Sequence, residues 1–142
     1  MLVQTTQSEL ILWSSLDHSS ILPFIGACFF PLNGSETLFS LVSPWMSNGT
    51  ISEYVRNHPN IERIPLMIDV AQGLAYLHSM GIVHGDLKGG NVFITDEKRA
   101  VLAYFGLSRL EGLDDVFTNS SVQSSTTHNL RGTVHFMAPE FL

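Results

Sequence analysis

The stretch HGDLKGGNVFITDEKRAVLAYFGLSR, His84 to Arg109, decides how this chain is read. Its opening, HGDLKGGN, is polar and glycine-rich. It sets an acid (Asp86), a base (Lys88) and an amide (Asn91) close together. The middle, ITDEKRAV, reads as a turn between two short apolar strands. The end, LAYFGLSR, reads as a strand running into a loop, with Tyr104 standing where a second acid is wanted. These residue types suit phosphate chemistry. A carboxylate accepts a proton from a hydroxyl, an ammonium neutralises phosphate, and an amide oxygen suits Mg2+, a hard cation that takes oxygen ligands. On spacing alone, a plain polar connecting loop accounts for them better.

Immediately upstream lies IERIPLMIDVAQGLAYLHSMGI, the strongest helical pattern in the chain. Ile61, Ile64, Met67/Ile68, Ala71, Leu74/Ala75 and Leu77/His78 recur every three to four residues. Pro65 is tolerated only in a first turn, so regular helix is expected from near Arg63, and Gly81 is the expected stop. Before it, Thr50 with Glu53 three residues on predicts a capping box and a short helix. Asn33–Gly34 marks a turn between two candidate strands. Residues 3–17 lack Pro and Gly and space Leu10, Trp13 and Leu16 helically, so one helix is expected there. Downstream, seven of residues 118–127 are Ser or Thr, which reads as a flexible polar loop. The order predicts an α+β fold.

Bulk properties narrow the function. The 142 residues are 44% hydrophobic and only 14% charged, so part of the surface is expected to be covered by something outside the chain, a protein partner on its exposed apolar faces. A net charge of −6 provides no basic footprint for nucleic acid. The single Cys28 forms no internal disulfide and fits a reducing compartment. The longest apolar run, Ile21–Phe30, is broken by Pro23 and too short for a bilayer, which needs about 20 residues. With no signal peptide in view, the expected location is the cytosol or nucleus. His18, His58, His128 and His135 lack metal-binding spacing.

Taken with its neighbours, the central stretch resembles the catalytic half of a eukaryotic protein kinase. The family writes H-R-D-L-x-x-x-N, then D-F-G, then A-P-E. Here these positions read His84-Gly85-Asp86-Leu87-Lys88-Gly89-Gly90-Asn91, then Tyr104-Phe105-Gly106, then Ala138-Pro139-Glu140. Three motifs in order with sensible gaps are a specific signal. The DLKGGN and GTVHFMAPE wording is similar to the tyrosine-kinase-like group, whose members usually phosphorylate Ser or Thr.

The resemblance implies a partial kinase domain over 1–142: an N-lobe remnant over 1–43, with the hinge and a mostly helical C-lobe part over 44–142. It implies ATP and Mg2+ as cofactors. Asp86 is then the catalytic base, Lys88 the phosphate contact and Asn91 a metal ligand. Ser43, Pro44, Trp45 and Met46 form the gatekeeper and hinge, and Phe93 lies under the adenine. Glu9 is the glutamate that pairs with a strand lysine. His84, Phe105, Trp13 and Phe24 stack as a spine between the lobes, and His78 packs at its helix end. Glu140 normally pairs with an arginine further on.

The pattern is broken in four places. Neither a glycine-rich loop nor a strand lysine precedes Glu9. The helices beneath the C-lobe do not follow Glu140. Gly85 replaces the arginine that reads a phosphorylated activation loop. Tyr104 replaces the acid that holds Mg2+, and a phenol with a pKa of about 10 is a poor magnesium ligand. Asp96 and Glu97 fall in the hairpin turn and are expected to point away. The expectation is a kinase-domain fragment impaired in catalysis. Its alternatives are a pseudokinase interaction module and an incomplete gene product without independent function.

Overall fold

The computed structural model describes residues 2–4, 7–31, 37–105, 108–110 and 133–139. The Asn33–Gly34 turn, the Ser/Thr-rich stretch, Gly106 and Glu140 lie outside the described residues.

The first segment differs from the single helix expected over 3–17. Strand β1 (Leu2–Gln4) is followed by helix α1 (Gln7–Ser14). β1 satisfies its backbone against a neighbouring strand. The helix ends at two serines whose hydroxyls bond back to the carbonyls of Ile11 and Leu12, a local alternative to continuing the helix. Glu9 and Trp13, one turn apart, form its buried face.

β2 (Gly26–Pro31) and β3 (Thr37–Val42) pair antiparallel, from Gly26 opposite Val42 to Pro31 opposite Thr37. β1 adds to the other edge of β3, giving the order β1-β3-β2. α2 (Ile51–Asn57) starts at the expected capping box: the Thr50 hydroxyl accepts from the Glu53 N–H, and the Glu53 carboxylate accepts from the Thr50 N–H.

α3 (Ile64–Ser79) has the expected extent, with Pro65 in the first turn. Gly81 follows at φ 68 and donates its N–H to His78 at 2.9 Å. The buried face matches only part of the stripe that periodicity selects: Leu77 is buried, and Ile61 and Leu74 pack against the core. Leu66, Asp69, Gly73 and Leu77 face inward, while Ile64, Met67 and Ile68 are 62%, 66% and 51% exposed. The packing requires this phase. A Cβ at Gly73 would sit 2.9 Å from both a Leu102 methyl and the Ser20 carbonyl, so only glycine permits the approach. One turn earlier, Asp69 is 1% exposed, takes the Arg99 guanidinium on both oxygens, and accepts from the Ala100 N–H at 3.0 Å. His78, expected to pack, is exposed, because it lies on the side of the helix opposite these contacts.

β4 (Ile82–Val83) pairs with β7 (Arg109–Leu110), and β5 (Val92–Ile94) with β6 (Ala100–Leu102). β6 is fastened to the upper part of the chain. Leu102 donates to Ser20 O and accepts from Leu22 N at 2.9 and 2.8 Å. One apolar core therefore runs from Trp13 and Leu41 through Ile21 and Leu22 to Leu77, Ile94 and Leu102. The result is the α+β arrangement expected of a partial kinase-like fold. Among the described residues, no helix is long and apolar enough to cross a membrane.

Candidate functional site

The loop between β4 and β5 converges on Asp86. Its Oδ1 accepts from the Thr133 N–H at 2.8 Å and the Thr133 hydroxyl at 2.7 Å. Its Oδ2 accepts from Asn91 Nδ2 and Lys88 Nζ, both at 2.9 Å. Lys88 also donates to Thr133 Oγ1 at 2.6 Å. Burial pushes the Asp86 carboxyl up, but the hydrogen bonds from Lys88, Thr133 and Asn91 outweigh it and hold the pKa below its ordinary value. Asp86 is therefore a carboxylate whose two oxygens are both engaged in ordering its own loop. Glycines shape the bend. Gly85 adopts φ 81, in the left-handed region that favours glycine. At Gly89 a Cβ would lie 2.0 Å from Ser52 Oγ on α2.

His84 is a packing and hydrogen-bonding residue here. It is 2% exposed, and its Nδ1 accepts from the Asp86 N–H at 3.3 Å. That leaves the proton on Nε2, which donates to Ala103 O at 3.0 Å. Burial holds its pKa below the ordinary histidine value, against the upward pull of Ala103 and Asp86. Its ring lies 5.6 Å from Phe105, which lies 6.1 Å from Trp13, which lies 5.5 Å from Phe24. The four rings proposed to stack do form one continuous column.

Tyr104 sits beside this column. The Ala103 N–H bonds to Asn91 O at 2.9 Å, so the residue after it is delivered next to the Asp86–Asn91 cluster. Its backbone is left-handed, φ 62, a conformation uncommon for any residue but glycine and least so for Asn and Asp. The frame thus suits the acid expected by resemblance better than the ring present. The ring packs 5.8 Å from Phe93 and is half-buried. Burial, then the negative charge of Glu9, pushes its phenol pKa up. Glu9 itself is 6% exposed on α1.

These donors do not fit a magnesium site. Tyr104 is a neutral phenol, both Asp86 oxygens are taken up by Lys88, Thr133 and Asn91, and Asn91, its NH2 given to Asp86, offers at most one amide oxygen. Asp96 does not supply the missing charge. It lies in the β5–β6 turn and takes a hydrogen bond from Ser47; Glu97 beside it is exposed.

A pocket of about 270 Å³ opens on the other side of Phe93. Ser43, Pro44, Trp45, Met46 and Phe93 line it, all five anticipated from the sequence. Leu22, Ser47, Gly49 and Glu53 line it too and were not anticipated. Glu53 carried a legible signal, its capping box, but the cap explained the residue without a second role. Hydrogen bonds from the Thr50 backbone and hydroxyl lower its pKa. Leu22, which lines the wall, accepts from Trp13 Nε1 at its carbonyl, 2.7 Å away.

A family model described as protein tyrosine and serine/threonine kinase matches residues 2–142. Among curated proteins, the chain is 35% identical over 146 residues to the dual specificity protein kinase zakA of Dictyostelium discoideum, covering 97% of this chain and 18% of that protein. It is 34% identical over 146 residues to the serine/threonine/tyrosine-protein kinase HT1 of Arabidopsis thaliana, covering 99% of this chain and 34% of that one. A third relative, the dual specificity protein kinase zak2 of Dictyostelium discoideum, is 32% identical over 97% of this chain and 24% of its own length. The chain thus spans no more than 34% of any of these three.

Proposed function

The chain belongs to the protein tyrosine and serine/threonine kinase family, and from that premise we propose that it is a kinase-domain segment whose phosphoryl transfer is impaired. The family uses ATP and Mg2+. In this reading the pocket under Ser43–Met46 is the adenine end of the cleft, and Asp86, Lys88 and Asn91 are the transfer end. One observation carries the impairment: Tyr104, a phenol kept neutral by burial and by Glu9, stands at the position of the metal-holding acid.

Phosphoryl transfer in this family is mostly positioning and charge neutralisation around the metal ions. Removing one preorganised electrostatic partner costs about 10²–10³ in rate in well-studied enzymes. Asp86 would have to give up Thr133 or Lys88 before either oxygen could take a proton from a hydroxyl, and Lys88 is itself shared with Thr133. The test is transfer of labelled γ-phosphate from ATP to Ser/Thr peptides, with Mg2+ or Mn2+. The expected result is no transfer above background, with Asp86→Asn indistinguishable from the parent. Robust transfer that disappears in Asp86→Asn overturns the reading.

A further inference from the structure

We propose that the pocket under Ser43–Met46 takes an uncharged, nucleobase-sized heteroaromatic, of which a purine nucleoside is the type, without metal, and discriminates against the corresponding triphosphate. This rests on reading the pocket as a kinase-type nucleotide cleft and adds what that cleft selects.

Size and lining come first. The volume of about 270 Å³ lies just below the roughly 300–1,000 Å³ usual for drug-sized ligands. Leu22, Pro44, Trp45, Met46 and Phe93 present apolar walls suited to a flat ring. Trp45 is 76% exposed, so a ring seated against it removes apolar surface from water.

Charge then sets the selection. Glu53 lines the pocket as a carboxylate, its ionised form favoured by two hydrogen bonds from Thr50. Beyond Phe93 the next side chain is Tyr104, on which the Glu9 carboxylate acts, and the next cluster centres on ionised Asp86. Lys88, a cation within that cluster, is held by Asp86 and Thr133. A chain of phosphates leaving the pocket in this direction meets carboxylates and a neutral ring. Glu53 is exposed and its repulsion is screened by water, whereas Glu9 and Asp86 lie where water is partly excluded and like charges repel more strongly. In the family at large a metal offsets that repulsion, and the donors here do not fit one. A neutral ligand meets none of this opposition, and the Glu53 carboxylate is an acceptor for its hydroxyl or amine hydrogens.

The experiment is isothermal titration of the whole chain with adenosine, ATP, and ATP plus MgCl2, with tryptophan emission recorded in parallel because Trp45 lines the pocket. Adenosine is expected to bind at least tenfold more tightly than ATP, and Mg2+ to move ATP affinity less than twofold. In Tyr104→Asp, ATP with Mg2+ should gain at least tenfold while adenosine stays within twofold. ATP with Mg2+ binding more tightly than adenosine to the parent chain overturns this inference alone, provided no transfer is seen. An unmoved ATP affinity in Tyr104→Asp overturns the part given to the phenol. Binding of neither probe overturns both the inference and the reading of the pocket beneath it.

Discussion

The loop His84–Asn91 and the strand end Ala103–Phe105 face each other across a few hydrogen bonds, yet they have fared differently. Apart from Gly85, which stands for an arginine, the loop keeps its polar side chains and joins them: Asp86 with Lys88, Asn91 and Thr133. The strand end keeps its shape. Ala103 bonds to Asn91 through its N–H and to His84 through its carbonyl, Phe105 fills the ring column, and residue 104 is left-handed. What it lacks is the charge. Backbone frame and electrostatic function are therefore separable within three residues, because core packing maintains the first and nothing in the packing demands the second. A tyrosine is tolerated because its ring finds Phe93.

The largest expected effect tests the frame. Phe105 is 1% exposed and touches both His84 and Trp13. Phe105→Ala should cost about 3–5 kcal/mol, the usual range for emptying a buried aromatic site. Equilibrium denaturation should show a lowered midpoint or no folded baseline. A loss below about 1 kcal/mol would mean the column does not hold the two halves together, and the contrast with the loop would dissolve.

How much of this was legible beforehand follows the same division between local and distant causes. The capping box at Thr50 and Glu53, the limits of α3 at Pro65 and Gly81, the β5–β6 hairpin and the four-ring column were all readable, because each rests on neighbours in sequence or on motif positions. The phase of α3 was readable only in part: Leu77 and Leu74 turn toward the core as spaced, but Ile64, Met67 and Ile68 do not. Hydrophobic spacing reports a period, and the buried face was selected instead by Arg99, Ala100 and Leu102, some thirty residues away. β1 was missed because its strand exists only through β3. Within the site, Asp86, Lys88, Asn91 and the lining from Ser43 to Met46 were named from sequence and are brought together as two neighbouring groups. Thr133 on Asp86 and Glu53 in the pocket were not named, since neither type nor spacing announces a contact 47 residues long or a cap with a second face.

The second effect tests the loop. Asp86→Asn keeps an oxygen for Thr133 but turns an NH2 toward donors, Lys88 Nζ and Asn91 Nδ2. Hydrogen bonds to charged groups are worth about 1.5–3 kcal/mol, and the Asp86 side chain is 13% exposed, so a loss of about 2 kcal/mol is expected. Denaturation curves at low and high salt should show it, with the larger deficit at low salt. A loss matching that of Phe105→Ala would mean the loop is as much a part of the frame as the ring column.

The smallest effect lies at the contact between the two regions and depends on pH. His84 is buried with its Nε2–H given to Ala103 O and its Nδ1 taking the Asp86 N–H, so the folded chain holds it neutral, with a pKa below 6.5. Unfolded, it titrates near the ordinary 6.5. Below that value the unfolded chain binds the extra proton before the folded one does. The stability His84 contributes is therefore complete above pH 6.5 and is lost as the pH falls from 6.5 toward the folded pKa. One proton limits the slope to about 1.4 kcal/mol per pH unit. Asp69 and Asp86 do not confuse this window. Both are held below the ordinary aspartate range, Asp69 chiefly by Arg99. Their stabilisation persists until the pH falls through that lower range. His84→Gln is the control: its amide nitrogen still donates to Ala103 O but does not titrate. Subtracting its stability profile between pH 7.5 and 5 from that of the parent should leave a slope of the predicted sign. A flat difference would place the Ala103 contact outside the frame and make the strand end independent of the loop it faces.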